Sequence, residues 1–332
     1  MKTKLNLFWF RRDLRLIDNH GLYEALQSEL PVLPIFIFDT NILDKLENKE
    51  DKRVDFIFQA LEKLNEYLEK QGKSIQFFYG KPLEIYENLS QQYEIGNVFC
   101  NEDYEPYAIK RDQEIKDFLA SKNINFYQLK DQVIFQKDEI VKADGKPYTV
   151  YTPYSRQWLL KFNDQNLEFF ASEKKLDNLL NIEKHNITLE HIGFKKTNYL
   201  FESPKINLEI LEKYHETRNL PTKETSQMSV HLRFGTISTR KLVKLASELN
   251  DNTYLKELIW REFFMQILWH FPKVIHHSFK EKYDNIAWEN NEELFQKWCE
   301  GKTGYPIVDA GMRELNETGL MHNRVRMVCA SF

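Results

Sequence analysis

Over its first 130 residues the chain alternates short apolar runs with segments of helical periodicity, and this alternation limits the fold more than any other feature. An apolar run of about four to eight residues is typical of a buried strand, whereas apolar residues three or four apart are typical of a helix with one buried face. Strands that alternate with helices build right-handed βαβ units and a parallel sheet covered on both faces. We therefore predict strands at 5–10, 32–38, 75–79, 97–100 and 125–129, and helices near 18–29, 51–71, 82–93 and 105–122.

Beyond residue 130 the pattern changes. From 131 to 195 it loosens into a long connection with one predicted helix near 153–162, and after residue 200 helical periodicity dominates. We expect an α/β doubly wound domain over 1–130, a connection over 131–195 and an all-α domain over 196–332. The apolar helical pattern continues to Phe332 with no stop signal, which predicts that the helical domain is incomplete and the chain truncated at its C-terminus.

Composition excludes several classes of protein. No apolar stretch approaches the ~18 residues of a transmembrane helix, and the N-terminus lacks the pattern of a secretory signal. Three widely spaced cysteines form neither a disulfide framework nor a metal motif, so we expect a cytoplasmic protein without a metal site.

The net charge of −4 does not by itself indicate a nucleic-acid partner. Residues 225–247 nevertheless contain Arg233, Arg240, Lys241 and Lys244 and no acidic residue. A local basic patch of this kind suits phosphate, although an ordinary solvated helix face has the same composition.

The first predicted strand ends in the charged segment Arg11-Arg12-Asp13-Leu14-Arg15. Ligands of parallel α/β folds bind in the crevice outside the carboxyl ends of the strands. This turn has no glycine, however, and cannot offer the close backbone approach to pyrophosphate that a G-x-G-x-x-G turn provides. We do not expect the N-terminal domain to bind a dinucleotide, and these charges either serve another ligand or form structural ion pairs at a domain boundary.

A second candidate site is the segment 225–229, Thr-Ser-Gln-Met-Ser, which precedes a helical stretch. Hydroxyls and backbone N–H groups at a helix start are suited to an anion, and a simple N-cap would look the same in sequence.

The segment 255–271 is apolar almost all round, which predicts a buried helix, yet it carries Glu257 and Arg261 four residues apart. Charges inside a buried helix cost several kcal/mol each unless they are paired or used. They form either a helix-surface pair or, with Trp260 and Phe264 on nearly the same face, the wall of a pocket.

Four of the six tryptophans lie within 39 residues, and core packing explains most of such a cluster, while base stacking or electron transfer would explain one or two members. Near the end of the chain, Asn323, Arg324 and Arg326 stand in an apolar context, which indicates recognition of phosphate or carboxylate groups. His322 in the same segment is better explained as a satisfied core histidine than as a base.

Taken together, these segments resemble the DNA photolyase/cryptochrome family from end to end of the chain. The resemblance is carried by 9–15 (WFRRDLR), 257–263 (ELIWREF), 298–315 (WCEGKTGYPIVDAGMREL) and 321–327 (MHNRVRM). The last motif is similar to that of class I cyclobutane pyrimidine dimer photolyases, whereas 6–4 photolyases and animal-type cryptochromes usually carry a His-His arrangement there.

The resemblance implies a set of site residues. It places flavin adenine dinucleotide (FAD) against Tyr214, Thr225, Ser226, Gln227, Met228, Ser229, Arg261, Asn323 and Arg326. It makes Glu257 a hydrogen-bonding partner of the dimer, Trp260 a stacking surface and Trp288 the surface member of a tryptophan electron-transfer chain. It places damaged DNA against Arg218, Glu257, Trp260, Arg261, Asn323, Arg324 and Met327, with Lys241 and Lys244 along the DNA backbone.

The implied activity is light-driven repair of pyrimidine dimers by electron transfer from reduced FAD, on a monomer. Residues 1–130 would form an antenna-type domain whose chromophore, a folate or a deazaflavin, stays undetermined, because Tyr107 and Ala108 do not match a folate site. A cryptochrome-type blue-light receptor is the first alternative, an inactive remnant that folds only its α/β half is the second, and a flavin-free nucleotide-binding protein is the last.

Overall fold

The structure, a computed structural model, describes residues 2–332. The chain folds into two compact units that are not contiguous in sequence. Unit 1 runs to Pro204 and also includes Ser229–Leu245 and Leu258–Pro272, and unit 2 is made of Lys205–Met228, Ala246–Glu257 and Lys273–Phe332.

Unit 1 is built on a five-stranded sheet of parallel strands in the order β3-β2-β1-β4-β5. The predicted strands are all present, and the last was located to the residue. Their bounds are Lys4–Phe10 (β1), Val32–Asp39 (β2), Gln76–Gly80 (β3), Glu94–Asn101 (β4) and Asn125–Leu129 (β5).

Helices cover both faces of this sheet, which confirms the predicted doubly wound fold. Successive side chains of β1 point to opposite faces, so Phe8 and Phe10 enter one buried core while Leu7 and Trp9 enter the other. The first core includes residues of α1 (His20–Leu26), α2 (Thr40–Leu43) and α3 (Lys52–Glu69). The second core includes residues of α4 (Pro82–Gln92) and α5 (Pro106–Ser121).

Local sequence explains where these helices begin. The carboxylate of Asp51 accepts a hydrogen bond from the backbone N–H of Arg53 and so caps α3. Pro82 and Pro106 start α4 and α5 at the position where a helix does not need the missing N–H group.

The strand order reverses between β1 and β4, because the chain leaves β1 toward β2 on one side and leaves β4 toward β5 on the other. At such a switch point the loops separate, and a crevice opens outside the carboxyl ends of the strands.

The remaining helices of unit 1 attach to the segment that follows β5. Glu262 accepts hydrogen bonds from the backbone N–H groups of Ile134 and Phe135, at 2.7 and 3.0 Å, and from the indole N–H of Trp158 at 2.6 Å. These bonds join two long helices to the connection after the sheet. The helices of this part are α6 (Tyr151–Asn163), α9 (Ser229–Phe234), α10 (Thr239–Ser247) and α11 (Thr253–His270), the first turn of α11 belonging to unit 2.

Unit 2 is helical, as predicted for the second half, and has a small core of its own. Val308, Met312, Val325 and Cys329 are buried there, and the indole N–H of Trp298 donates to the backbone carbonyl of Cys329 at 2.9 Å. Its helices are α7 (Leu208–Glu212), α8 (Tyr214–Thr217), α12 (Glu292–Cys299), α13 (Pro306–Thr318) and α14 (Asn323–Ser331).

Within residues 2–332, none of the helices combines the length and the apolarity that crossing a bilayer requires. Over the same residues, no three His, Cys, Asp or Glu side chains are grouped so that they could hold a metal ion.

Candidate active site

The charged segment after β1 forms structural ion pairs inside unit 1. Asp131 is buried, and its carboxylate forms ion pairs with Arg15 at 2.7 Å and with Arg240 at 2.8 Å. Arg240 also forms an ion pair with Asp18 at 3.1 Å. Although burial alone would raise the pKa of Asp131, the two guanidinium groups hold it below the ordinary range. Of the two alternatives that the sequence left open for Arg15, the structure shows the ion pair.

A cavity of about 230 Å³ lies at the switch point. Its walls include aromatic and aliphatic side chains such as Phe36 and Phe38, and its polar lining includes Arg11, Arg12 and Arg111. Arg11 pairs with the buried Asp112, yet its Nε atom has no hydrogen-bond partner within residues 2–332. A buried donor without a partner is costly, and this cost is part of the local structure beside the cavity.

Trp9 forms part of the same wall. The guanidinium groups of Arg11 and Arg111 lie 4.9 and 4.6 Å from the centre of its ring. Arginines over an aromatic face are held by cation–π attraction, and the cavity lining also carries the carboxylates of Asp39 and Asp103.

In unit 2 the structure brings together several of the predicted site residues. The Glu257 cluster, as we call it, consists of Tyr214, Arg218, Ser226, Tyr254 and Glu257. Arg218 and Glu257 form an ion pair at 2.7 Å, and each side chain is 28 % exposed. Tyr254 packs edge-on against Tyr214 with ring centres 5.3 Å apart, and its hydroxyl donates to Ser226 Oγ at 3.1 Å.

The electrostatics of the cluster show how its charges are balanced. Burial raises the pKa of Tyr214 to about 12, the Glu257 carboxylate adds to the rise, and Arg218 opposes it. Tyr214 therefore stays a neutral hydroxyl at physiological pH, available as a hydrogen-bond donor.

The side chains of the segment 225–229 differ in their exposure to solvent. Thr225 and Ser226 are half-buried and Met228 is buried, whereas Gln227 and Ser229 are exposed. Gln227 has a positive φ of 53°, which turns the chain just before α9 begins at Ser229. This turn places several hydroxyl and amide groups within one short segment.

The predicted residues of α14 lie on an exposed part of unit 2. The Nε of Arg324 donates to Asn219 at 2.8 Å, and its Nη1 lies 3.5 Å from the sulfur of Met327. Asn323 and Arg326 are exposed, and the Arg326 guanidinium has no ion-pair partner within residues 2–332. Instead of being a core histidine, His322 caps α14, since its ring accepts from the N–H of Arg324.

Arg261 does not pair with Glu257, although the two lie one turn apart on α11. Its guanidinium donates to the backbone carbonyls of Gln132 at 2.7 Å and Leu232 at 3.2 Å. Burial, with the nearby charge of Arg12 adding to it, lowers the pKa of Arg261 to about 10. The interpretation of a helix-surface pair is therefore wrong, because Arg261 is engaged by carbonyls of unit 1 and Glu257 by Arg218.

The four clustered tryptophans have different environments. Trp298 belongs to the core of unit 2, and Trp269 packs against Tyr104, but Trp288 is 70 % exposed. Trp260 is half-buried and stacks on the ring of Tyr151, a residue that the sequence did not single out.

The prediction that 255–271 forms a buried helix does not hold for every side of α11. Phe264, on α11, is 61 % exposed. Apolar residues on every side of a helix indicate that it favours an apolar environment. They do not indicate whether the rest of the folded chain covers every side.

Comparison with known proteins bears on these residues. The sequence profile of DNA photolyase matches residues 6–172, and that of the FAD binding domain of DNA photolyase matches residues 254–332. A deoxyribodipyrimidine photo-lyase of Synechococcus sp. is 32% identical over 98% of this chain and 73% of its own length. The deoxyribodipyrimidine photo-lyase of Escherichia coli is 30% identical over 98% of this chain and 74% of its own length.

Solved structures of similar fold support the same grouping. An archaeal photolyase from Sulfolobus tokodaii, determined with two FAD molecules, has a TM-score of 0.78 and 30% identity, covering 98% of this chain and 74% of its own. The cryptochrome of Synechocystis sp. has a TM-score of 0.84 over 100% of this chain and 75% of its own, but at 23% identity it shows the fold alone. The sheet and the helical part thus occur together in these proteins.

Proposed function

The chain belongs to the DNA photolyase family, and we propose that it is a light-driven lyase that repairs cyclobutane pyrimidine dimers in DNA with FAD as its cofactor. Relatives named deoxyribodipyrimidine photo-lyase, at about 30% identity over nearly the whole chain, support the activity. The observation that carries the proposal is the Glu257 cluster, in which a half-exposed carboxylate is held by Arg218 beside two tyrosine rings.

The substrate must leave the duplex to be reached. Photolyases are among the enzymes that flip their target nucleotide out of the stack, which costs least for a damaged, poorly stacked pair. A flipped dimer needs an apolar surface to replace its lost stacking and polar groups for its base edges. The family resemblance assigns the stacking surface to Trp260, and it assigns to Glu257 the carboxylate that accepts hydrogen bonds from base N–H groups.

The ion pair with Arg218 has a defined task in this proposal. A half-exposed carboxylate is mobile unless another group holds it. The 2.7 Å ion pair with Arg218 holds Glu257 in one orientation before the substrate binds. Arg218 and Arg324 then add positive charge for the DNA phosphates.

The residues around 225–229 fit FAD in their chemistry. Hydroxyls of Thr225, Ser226 and Ser229 and the neutral hydroxyl of Tyr214 are donors for a pyrophosphate, while Met228 and Tyr254 add apolar surface. Asn323 and Arg326 on the exposed part of α14 are available to the same cofactor. When bound in its reduced form, FAD would supply the electron that initiates splitting and would take the same electron back after two carbon–carbon bonds of the cyclobutane ring have broken, so that the overall reaction is redox-neutral.

The cavity at the switch point is suited to a second, light-harvesting chromophore. Typical small-molecule pockets measure roughly 300–1,000 Å³, so a cavity of about 230 Å³ fits a planar ring system but not a whole dinucleotide. This size agrees with the absence of a glycine-rich turn after β1.

The test is repair of an oligonucleotide with a single thymine dimer by the FAD-loaded chain, comparing blue light with darkness. We expect light-dependent recovery of intact thymines. Glu257→Ala should slow repair roughly 10- to 150-fold, because a hydrogen bond to a charged group is worth about 1.5–3 kcal/mol. Glu212→Ala removes an exposed glutamate of the same unit and serves as the matched control.

Two results would count against the proposal. An FAD-loaded chain that is photoreduced but leaves the dimer intact would favour the photoreceptor alternative. Equal losses in Glu257→Ala and Glu212→Ala would remove the Glu257 cluster from the mechanism.

A further inference from the structure

Helix α6 has one face that contacts α11 within unit 1. Tyr151, Tyr154 and Trp158 are spaced three and four residues apart, so they lie on one side of α6. The indole N–H of Trp158 and the hydroxyl of Tyr154 reach Glu262 at 2.6 and 3.4 Å. These bonds fix the register of α6 against α11.

Tyr151 makes the closest ring contact across this face. Its ring lies flat on the indole of Trp260, with centres 3.6 Å apart and planes inclined by 6°. Phe263 stands edge-on to both rings, at 5.9 Å from Tyr151 and 5.7 Å from Trp260. Phe264 also stacks on the indole, with centres 5.5 Å apart and planes inclined by 23°. The plane of the indole is thus set by three neighbouring rings.

Tyr151 is the first residue of α6, two positions before Pro153. The fixed φ of proline is compatible with the first turn of a helix.

We propose that Tyr151 is a positioning residue for dimer recognition, which covers one face of the Trp260 indole and sets its plane. The inference rests on the proposed function, in which Trp260 stacks on the dimer. Tyr151 acts through Trp260 and touches neither the dimer nor the cofactor. The contact should therefore affect discrimination between damaged and intact DNA, and not DNA binding in general.

The experiment measures dissociation constants of the FAD-loaded chain in the dark for a dimer-containing oligonucleotide and for the same oligonucleotide undamaged. Trp260→Ala should lower the ratio of the two affinities about 5- to 150-fold. Tyr151→Leu, which loses the ring, should lower it about 2- to 12-fold, as expected for one aromatic pair. Tyr151→Phe keeps the ring and should retain the wild-type ratio of the two affinities.

A matched control and a double variant separate positioning from simple destabilisation. Tyr148 lies in the same segment and packs on Tyr154 at 6.4 Å, so Tyr148→Leu should leave the ratio unchanged. The double variant Tyr151→Leu, Trp260→Ala should discriminate no worse than Trp260→Ala alone, because Tyr151 acts only through the indole.

The outcomes distinguish the two proposals. If Trp260→Ala leaves the ratio unchanged, the stacking role in the proposed function fails. If Trp260→Ala lowers the ratio but Tyr151→Leu does not, or if the two effects add in the double variant, the positioning role of Tyr151 is overturned while the proposed function stands. Equal weakening of both DNA affinities by Tyr151→Leu also overturns it.

Discussion

Charged residues are used in opposite ways in the two units. In unit 1, Asp131 is 1% exposed and is shared by two buried arginines, whereas in unit 2 the Arg218–Glu257 pair is 28 % exposed on both sides. When a buried ion pair loses one partner, the remaining charge is uncompensated and poorly solvated. When a half-exposed pair loses one partner, water solvates the charge that remains. The first arrangement therefore stabilises the fold, and the second leaves charge available for a ligand.

The largest test of this comparison removes Asp131. Asp131→Ala leaves the guanidinium groups of Arg15 and Arg240 buried without their shared carboxylate, and we expect a loss of about 3–5 kcal/mol in the free energy of unfolding. Urea denaturation followed by circular dichroism measures it.

The same triad should respond to acid. Because the folded-state pKa of Asp131 is lowered, its contribution to the free energy of unfolding is complete above the ordinary pKa of about 3.9. This contribution is lost as pH falls through the lowered value.

In the denaturation experiment, a loss below about 1 kcal/mol in the free energy of unfolding of Asp131→Ala would contradict the distinction between the two units.

A second test uses Glu262, whose carboxylate is buried and forms no ion pair within residues 2–332. Burial raises its pKa to about 7 from 4.5, against the hydrogen bonds that it accepts from Ile134, Trp158 and Phe135. Because its pKa is raised in the folded state, the protonated Glu262 stabilises the folded protein below pH 4.5. This contribution to the free energy of unfolding, up to about 3 kcal/mol, is lost as pH rises toward 7. We expect the free energy of unfolding to fall over this interval.

Glu262→Gln should flatten this pH dependence because an amide does not titrate. Glu212→Gln, of an exposed glutamate, controls for the loss of one negative charge. An unchanged slope in Glu262→Gln would show that another group is responsible.

In unit 2 the expected pattern is reversed, with a small effect on stability and a larger one on binding. Arg218→Ala breaks a half-exposed ion pair and should lower the free energy of unfolding by less than about 1 kcal/mol. It should weaken binding of dimer-containing DNA, because Glu257 loses its support and the phosphates lose a cation. Fluorescence anisotropy measures the affinity, and Arg218→Lys, which keeps the charge, should recover part of it.

The smallest effect is expected next to the buried triad, at an exposed residue. Arg240 is buried and its neighbour Lys241 is exposed on the same helix. Lys241→Ala should change the free energy of unfolding by no more than about 0.5 kcal/mol. If Lys241 contacts a DNA phosphate, the slope of log affinity against log salt should decrease by about 1, and an unchanged slope would place Lys241 away from the DNA.

Much of the architecture was predictable because it depends on local pattern. The periodicity of 51–71 predicted a helix that the structure gives as Lys52–Glu69, and the apolar run at 125–129 matched β5. Strand and helix periods arise from backbone geometry, so they leave a signal within about ten residues. The family resemblance was equally readable, because its motifs are continuous in sequence.

The site was predictable only in part. The resemblance named Tyr214, Arg218 and Glu257, and the structure brings these three together. It did not single out Asp131, Glu262 or Tyr151. Asp131 and Tyr151 stand in a loose connection with no periodicity or motif to mark them, and Glu262, although inside the motif 257–263, has its partners more than 100 residues away in sequence.

The sequence by itself determined the doubly wound sheet, the helical second half and the family, through periodicity and contiguous motifs. Tertiary structure alone decided the partners of the polar and aromatic side chains. It decided that Arg261 donates to two backbone carbonyls and not to Glu257, and that Tyr151 stacks on Trp260. The physical reason is that such partners lie far apart in sequence, and burial and chain topology bring them together where local sequence has no influence.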